Sequence, residues 1–118
     1  MASKMRVSIY LPTEYNPDPK RKRKKRRKIP REHHNRVMLE LEQHFKERFQ
    51  GTSTDFMIRK RTSGTWKGQI DKIEVISTDL NLTSEDLAWL RERKNEWKKK
   101  DRFDQEEMYV IYFPIMVV

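Results

Sequence analysis

A chain of 118 residues with 38% charged and 35% hydrophobic side chains has the length of one domain and only a modest core. It contains no cysteine, which excludes disulfides and thiolate chemistry and suits a reducing compartment. No apolar run approaches the roughly 18 residues of a membrane-spanning helix, and the first residues form no apolar leader.

The formal charge of +9 is unevenly placed. Lys20, Arg21, Lys22, Arg23, Lys24, Lys25, Arg26, Arg27, Lys28 and Arg31 fall in one stretch without an acid. The remaining 17 positive residues meet 18 acids, so the rest of the chain is close to neutral. The basicity belongs to one segment.

In chain order, residues 5–11 alternate apolar and polar, with Met5, Val7, Ile9 and Leu11 on one face, as in a half-buried strand. Met5 is also a candidate natural start. Pro12 ends the strand. Residues 12–30 carry Pro12, Pro17, Pro19 and Pro30 around the basic run. Consecutive cations repel and resist burial, so this is expected to be a solvated, flexible arm inserted in a single domain spanning 1–118. A helix is expected after Pro30, with Val37, Met38, Leu41, Phe45 and Phe49 as its apolar stripe and Gly51 as its stop. Residues 54–61 read as a strand, Ser63-Gly64 as a turn, and Trp66–Thr78 as the returning strand. Thr83 with Asp86 three residues on resembles a helix start. Leu87, Leu90 and Trp97 would line that helix, which fades into Lys98-Lys99-Lys100. Residues 107–113 form a last strand, apolar on both faces.

The order strand, helix, strand, strand, helix, strand predicts an α+β fold, the ferredoxin-like split βαββαβ sandwich, with a long basic loop between first strand and first helix. The helices of that fold leave one sheet face open. A last strand apolar on both faces suggests that this face is covered too, and self-association through the sheet is the simplest reading.

Arg48-Phe49-Gln50-Gly51, Thr54, Gly64-Thr65-Trp66-Lys67-Gly68 and Lys72-Ile73-Glu74-Val75-Ile76 together resemble small bacterial ferredoxin-like domains of unknown function. Those domains place a Phe-x-Gly near the end of the first helix and a Gly-x-Trp in the following hairpin. The likeness covers about a third of the chain and excludes the basic arm. It implies a fold and oligomerisation, and carries over no catalytic residue.

Many cations on a tether suit phosphate binding, because affinity arises from release of condensed counterions. The arginines add bidentate phosphate contacts. The arm has no aromatic residue, so it should read charge and not sequence. DNA or RNA is therefore the expected partner, contacted by Lys20–Lys28 and Arg31, with Arg59 and Arg61 in the hairpin as a secondary patch. Lys98–Lys100 with Arg102 is a second such patch, although a helix C-terminus favours lysine in any case. The competing readings of the run are an anionic membrane surface, an acidic protein partner, plain solvation, and a nuclear address. The expected location is cytoplasmic, nucleoid-associated in a bacterium or nuclear in a eukaryote or virus. Asn81-Leu82-Thr83 matches a glycosylation acceptor and is read as chance without a secretory signal.

Enzymatic signals are sparse. His33 and His34 diverge on a helix, and no histidine pair has the spacing of a metal site. His33 and His34 beside the arm are candidates for further phosphate contacts. His44 is expected to pair with Glu40 or Glu47 at the surface. Asp71, Glu74 and Asp79 are candidate carboxylates for a Mg²⁺-dependent nuclease, one carboxylate per strand being common on any sheet. No phosphate-binding glycine loop is present. Tyr10, on the open side of the first strand, weakly resembles an RNA-recognition motif, but the third strand offers Ile73-Glu74-Val75-Ile76 where that motif pairs aromatics. Trp66, Trp89 and Trp97 are expected as core or dimer anchors, with Trp89 off the centre of the apolar stripe and so a candidate exposed contact. No cofactor, metal site or catalytic residue is assigned. A nuclease, or an assembly module docking on an acidic partner, stands as the alternative to a non-enzymatic nucleic-acid-binding accessory protein.

Overall fold

The computed structural model describes residues 4–16, 27–45, 57–66 and 69–116, with only the backbone described for 57–66 and 69–71. Within these, β1 (Met5–Pro12) is followed by α1 (Arg31–Phe45), β2 (Met57–Trp66), β3 (Gln69–Leu80), α2 (Ser84–Trp97) and β4 (Val110–Pro114). The strands form one antiparallel sheet in the order β2-β3-β1-β4. The α+β class is as expected, and this order is compatible with a ferredoxin-like arrangement. No helix among the described residues is long and apolar enough to cross a membrane.

The alternation in β1 does what a half-buried strand requires. Val7, Ile9 and Leu11 are buried, and their partners across the β1–β3 ladder are Thr78, Ile76 and Glu74. Val37, Leu41 and Phe45 of α1 and Leu90 and Trp97 of α2 join Val7, Ile9, Leu11, Ile76 and Leu80 in one core. Both helices therefore lie on the same sheet face. Each fully buried side chain of this size contributes roughly 1.5–3 kcal/mol. The other face carries Arg6, Ser8 and Tyr10 opposite Asp79, Ser77 and Val75. There the Ser8 and Ser77 hydroxyls lie 2.9 Å apart, and Arg6 grips Asp79 through Nε at 2.7 Å and Nη2 at 2.9 Å.

Local signals start α2 as expected. Thr83 caps the helix: its hydroxyl accepts from the Asp86 N–H, and the Asp86 carboxylate accepts from the Thr83 N–H. The helix ends at Trp97 and turns sharply, with the Asp104 and Gln105 N–H groups donating to the Lys99 and Lys98 carbonyls. Asp104 takes φ 50°, a left-handed position that aspartate tolerates better than most residues. This turn seats buried Phe103 against the first turn of α1, 5.4 Å from His34 and 6.1 Å from His33 between ring centres.

Two boundaries differ from the sequence expectation. Ser63-Gly64 is no turn: Ser63 pairs with Lys72 and Gly64 with Asp71, and the ladder continues to Trp66 opposite Gln69. Ending the strands at Ser63 would forfeit the four pairs from Ser63 to Trp66. The last strand starts at Val110, not at 107, because Glu107 bonds the Met108 N–H at 3.0 Å and Lys94 Nζ at 2.7 Å and so holds the chain in a bend before the strand. Within the single chain most of that strand is exposed. The expected helical positions Phe49 and Gly51, and the strand start at 54–56, lie outside the described residues.

Candidate nucleic-acid interface

The arm leaves and rejoins the domain through a closed neck. The Tyr15 N–H donates to the Arg27 carbonyl at 2.8 Å, and the Ile29 N–H donates to the Thr13 carbonyl at 2.9 Å. Glu14 and Lys28 form the β-bridge between these bonds. The Arg27 guanidinium lies over the Tyr15 ring at 5.1 Å, within cation–π range. Ile29 is buried and fixes the returning strand to the core.

The neck is tied to the sheet and to α1. Both the Thr13 N–H (3.3 Å) and its hydroxyl (2.8 Å) bond the Lys72 carbonyl in the first half of β3. His34 Nε2 meets the Pro12 carbonyl at 2.9 Å. Arg31, the first residue of α1, is hydrogen-bonded to the buried Glu74 carboxylate. A buried carboxylate requires such a cation, since desolvation penalises its charge.

The expected contact residues can now be placed. Lys20 to Arg26 lie outside the described residues. Arg27 and Lys28 are exposed at the neck. Arg31 is half-exposed, but Glu74 offsets its charge, so it is a structural anchor of the arm as well as a cation near it. Arg59 and Arg61 stand on β2 in register with Ile76 and Glu74. Lys98 is half-buried and Lys100 exposed, and Lys99 is exposed and bonded to Glu96 at 2.8 Å. That bond raises the Lys99 pKa above its ordinary value, the Glu96 charge acting in the same direction and desolvation opposing it.

The topology brings these segments to one end of the molecule. Pro12 pairs with Ile73 at the last step of the β1–β3 ladder, so the neck stands in the first half of β3. The β2–β3 ladder runs on past this point to Trp66 and Gln69. α1 begins there, at Arg31, and α2 ends there, because Phe103 contacts His33 and His34. The arm root, the far part of the hairpin, exposed Lys72 and the Lys98–Lys100 turn therefore share one pole. Acids are interspersed: Glu32, Asp101 and Asp104 are exposed nearby. Lys72, Thr13 and Tyr15 were not among the contact residues expected from sequence. The only available signal was Tyr15 as the aromatic residue closest before the basic run.

Several expectations are corrected. Arg102 is not a surface cation. It is buried, with Nη2 3.0 Å from Glu40 Oε1, a charge contact outside hydrogen-bond geometry. Glu40 also accepts from Trp97 Nε1 at 2.7 Å and lies near Arg36 (3.3 Å) and Arg93 (3.9 Å). His34 is buried and unavailable to phosphate. His44 Nε2 meets Asp86 Oδ1 of α2 at 3.0 Å and not Glu40, while Glu47, the other expected partner, lies outside the described residues. The His44 ring lies flat on Trp89 at 3.9 Å, which makes Trp89 a half-buried packing residue. Of the candidate carboxylates, the Asp71 side chain lies outside the described residues, and Glu74 and Asp79 do not converge. Glu74 points to the helix side with Arg31, whereas Asp79 lies on the other face with Arg6. Among the described residues no group of three His, Cys, Asp or Glu side chains is placed to hold a metal ion. Tyr10 faces Val75 across the ladder, with no aromatic partner on β3.

Comparison with family models, with curated proteins and with solved structures found no match for this chain.

Proposed function

We propose that this chain is a non-enzymatic nucleic-acid-binding accessory domain in which a ferredoxin-like body presents a basic arm to phosphate. The observation that carries the reading is the convergence at one pole. The neck of the Lys20–Arg31 arm opens beside Lys72 and the Lys98–Lys100 turn, and the β2–β3 ladder extends past it. Two backbone bonds and a cation–π contact close the root of the run, and this root lies on the same pole as the exposed lysines. Contacts of this kind supply affinity by counterion release and carry no base information. The nuclease reading has less support, because β3 sends Glu74 and Asp79 to opposite faces.

The test is a salt titration of binding to labelled duplex DNA and single-stranded RNA, with the wild type and a variant whose Lys20–Lys28 are replaced by glutamine. An arm that neutralises about five to eight phosphates gives a slope of log K against log salt of roughly −5 to −7 on duplex DNA. The variant should lose most of that slope and at least about 100-fold in affinity at low salt. Equal binding by both proteins, or binding that ignores salt, overturns the proposal and turns attention to an acidic protein partner.

A further inference from the structure

The last strand differs from the rest of the surface in charge and in polarity. Met108 to Met116 contains no charged residue, in a chain where 38% are charged. Among the described residues, every exposed large apolar side chain except Leu39 lies in this segment: Tyr109 at 68% exposure, Ile111 at 38%, Tyr112 at 48%, Phe113 at 41% and Met116 at 96%. β4 is also an edge, paired with β1 on one side.

Its backbone bonds show which groups point outward. The Tyr109 carbonyl accepts from the Tyr10 N–H, and the Ile115 N–H donates to the Lys4 carbonyl, both at 3.0 Å. Backbone groups alternate sides along a strand, so Tyr109, Ile111, Phe113 and Ile115 turn theirs to β1. Val110, Tyr112 and Pro114 turn theirs away from it. Exposed edges are commonly blunted by charges, bulges or proline. Here the only such device is Pro114, which removes a single donor.

We propose that β4 pairs antiparallel with β4 of a second copy, joining the two four-stranded sheets into one. One feature favours a second copy over a different protein, and another selects β4 as the place where copies can meet. The strand is complementary to itself about Tyr112. In that register the two Tyr112 residues exchange a pair of N–H···O=C bonds, and the Val110 N–H donates to the Pro114 carbonyl of the second copy. The donor that proline lacks forfeits only the reciprocal of that last bond. Ile111 then lies across from Phe113 of the second copy on the open face, an apolar pair of the kind that stabilises sheets. Charge is the second feature. A chain of net charge +9 repels its own copies over most approaches. β4 is uncharged, and its Pro114 end pairs with Met5, at the pole away from the arm. Two copies meeting there keep their arms at opposite ends of the joined sheet.

This inference does not rest on the arm's ligand, and either can fail alone. The experiment is sedimentation equilibrium of the full chain at roughly 100 µM, a concentration that detects even a Kd in the tens of micromolar. A salt concentration of about 0.5 M shortens the screening length and suppresses repulsion between arms. The expected result is twice the chain mass for the wild type and for Leu39→Lys, and the chain mass for Ile111→Lys and Tyr112→Pro. As a check independent of any variant, amide exchange at Val110 and Tyr112 should slow as protein concentration rises. A monomeric wild type, dimers that survive both β4 substitutions, or exchange at Val110 and Tyr112 that ignores concentration would each overturn the proposal.

Discussion

Trp97 shows how individual residues manage charge inside this small core. Its ring is fully buried, and its indole N–H ends on Glu40, whose carboxylate also draws Arg102, Arg36 and Arg93 toward it. A carboxylate enclosed between helices is tolerated only with such partners. Glu74 follows the same rule with Arg31. Asp79 is different, since its pair with Arg6 sits on the open face and is about one-third exposed. Hydrogen bonds from Arg6 hold the Asp79 carboxyl below its ordinary range; the charges of Arg6 and Lys4 act in the same direction, and partial burial opposes them. A carboxyl whose pKa is lowered on folding contributes stability above its unfolded value and loses it as pH falls through the folded value. Asp79→Asn should therefore lower the urea midpoint at pH 7. The difference from wild type should shrink below about pH 4, where the unfolded carboxyl is already protonated. A difference that stays constant from pH 7 to strongly acid conditions would remove the pair from the stability balance.

Among the elements, those with local signals were the readable ones. β1 was legible from four apolar residues at period two, and α2 from Thr83 and Asp86 three positions apart. That capping box satisfies two helix donors at once, so Thr83→Ala should lower stability by about 1 kcal/mol. Thr83→Ser should retain most of it, and urea unfolding of the two variants separates the cap from the methyl group. The hairpin turn was misplaced because Ser63-Gly64 is a local turn signal, whereas the length of the ladder, which runs on to Trp66 and Gln69, is set by pairing with β3 and is non-local. The partner of His44 was missed for the same reason. Glu40 shares its helix, but Asp86 is 42 positions away and reaches it because α1 ends where α2 begins. The start of β4 was overextended because Glu107-Met108-Tyr109 reads as strand, and a contact to Lys94 of α2, 13 positions earlier, is what bends it.

At the scale of the whole molecule, sequence revealed the basic run but not its surroundings. Ten cations in twelve positions need no fold to be seen. The position of Lys72 beside the neck depends on the β1–β3 register, and that of Lys98–Lys100 on Phe103 packing against α1. A long-range electrostatic interface is a property of a pole, so its members contribute by location more than by identity. This separates cations that share a residue type. Lys72→Gln and Lys100→Gln lie at the arm's pole, whereas Lys4 is exposed at the other, where its carbonyl binds Ile115 beyond the end of β4. If nucleic acid tracks from the arm over the body, each substitution at the arm's pole should reduce the salt slope by about 1 and weaken every sequence equally. Lys4→Gln should leave the slope unchanged. The three proteins can be compared by the same salt titration, with the arm intact in all of them. Equal losses from Lys4→Gln and Lys72→Gln would mean that only net charge matters. No loss from any of the three would mean that the arm binds alone and the body serves as its mount.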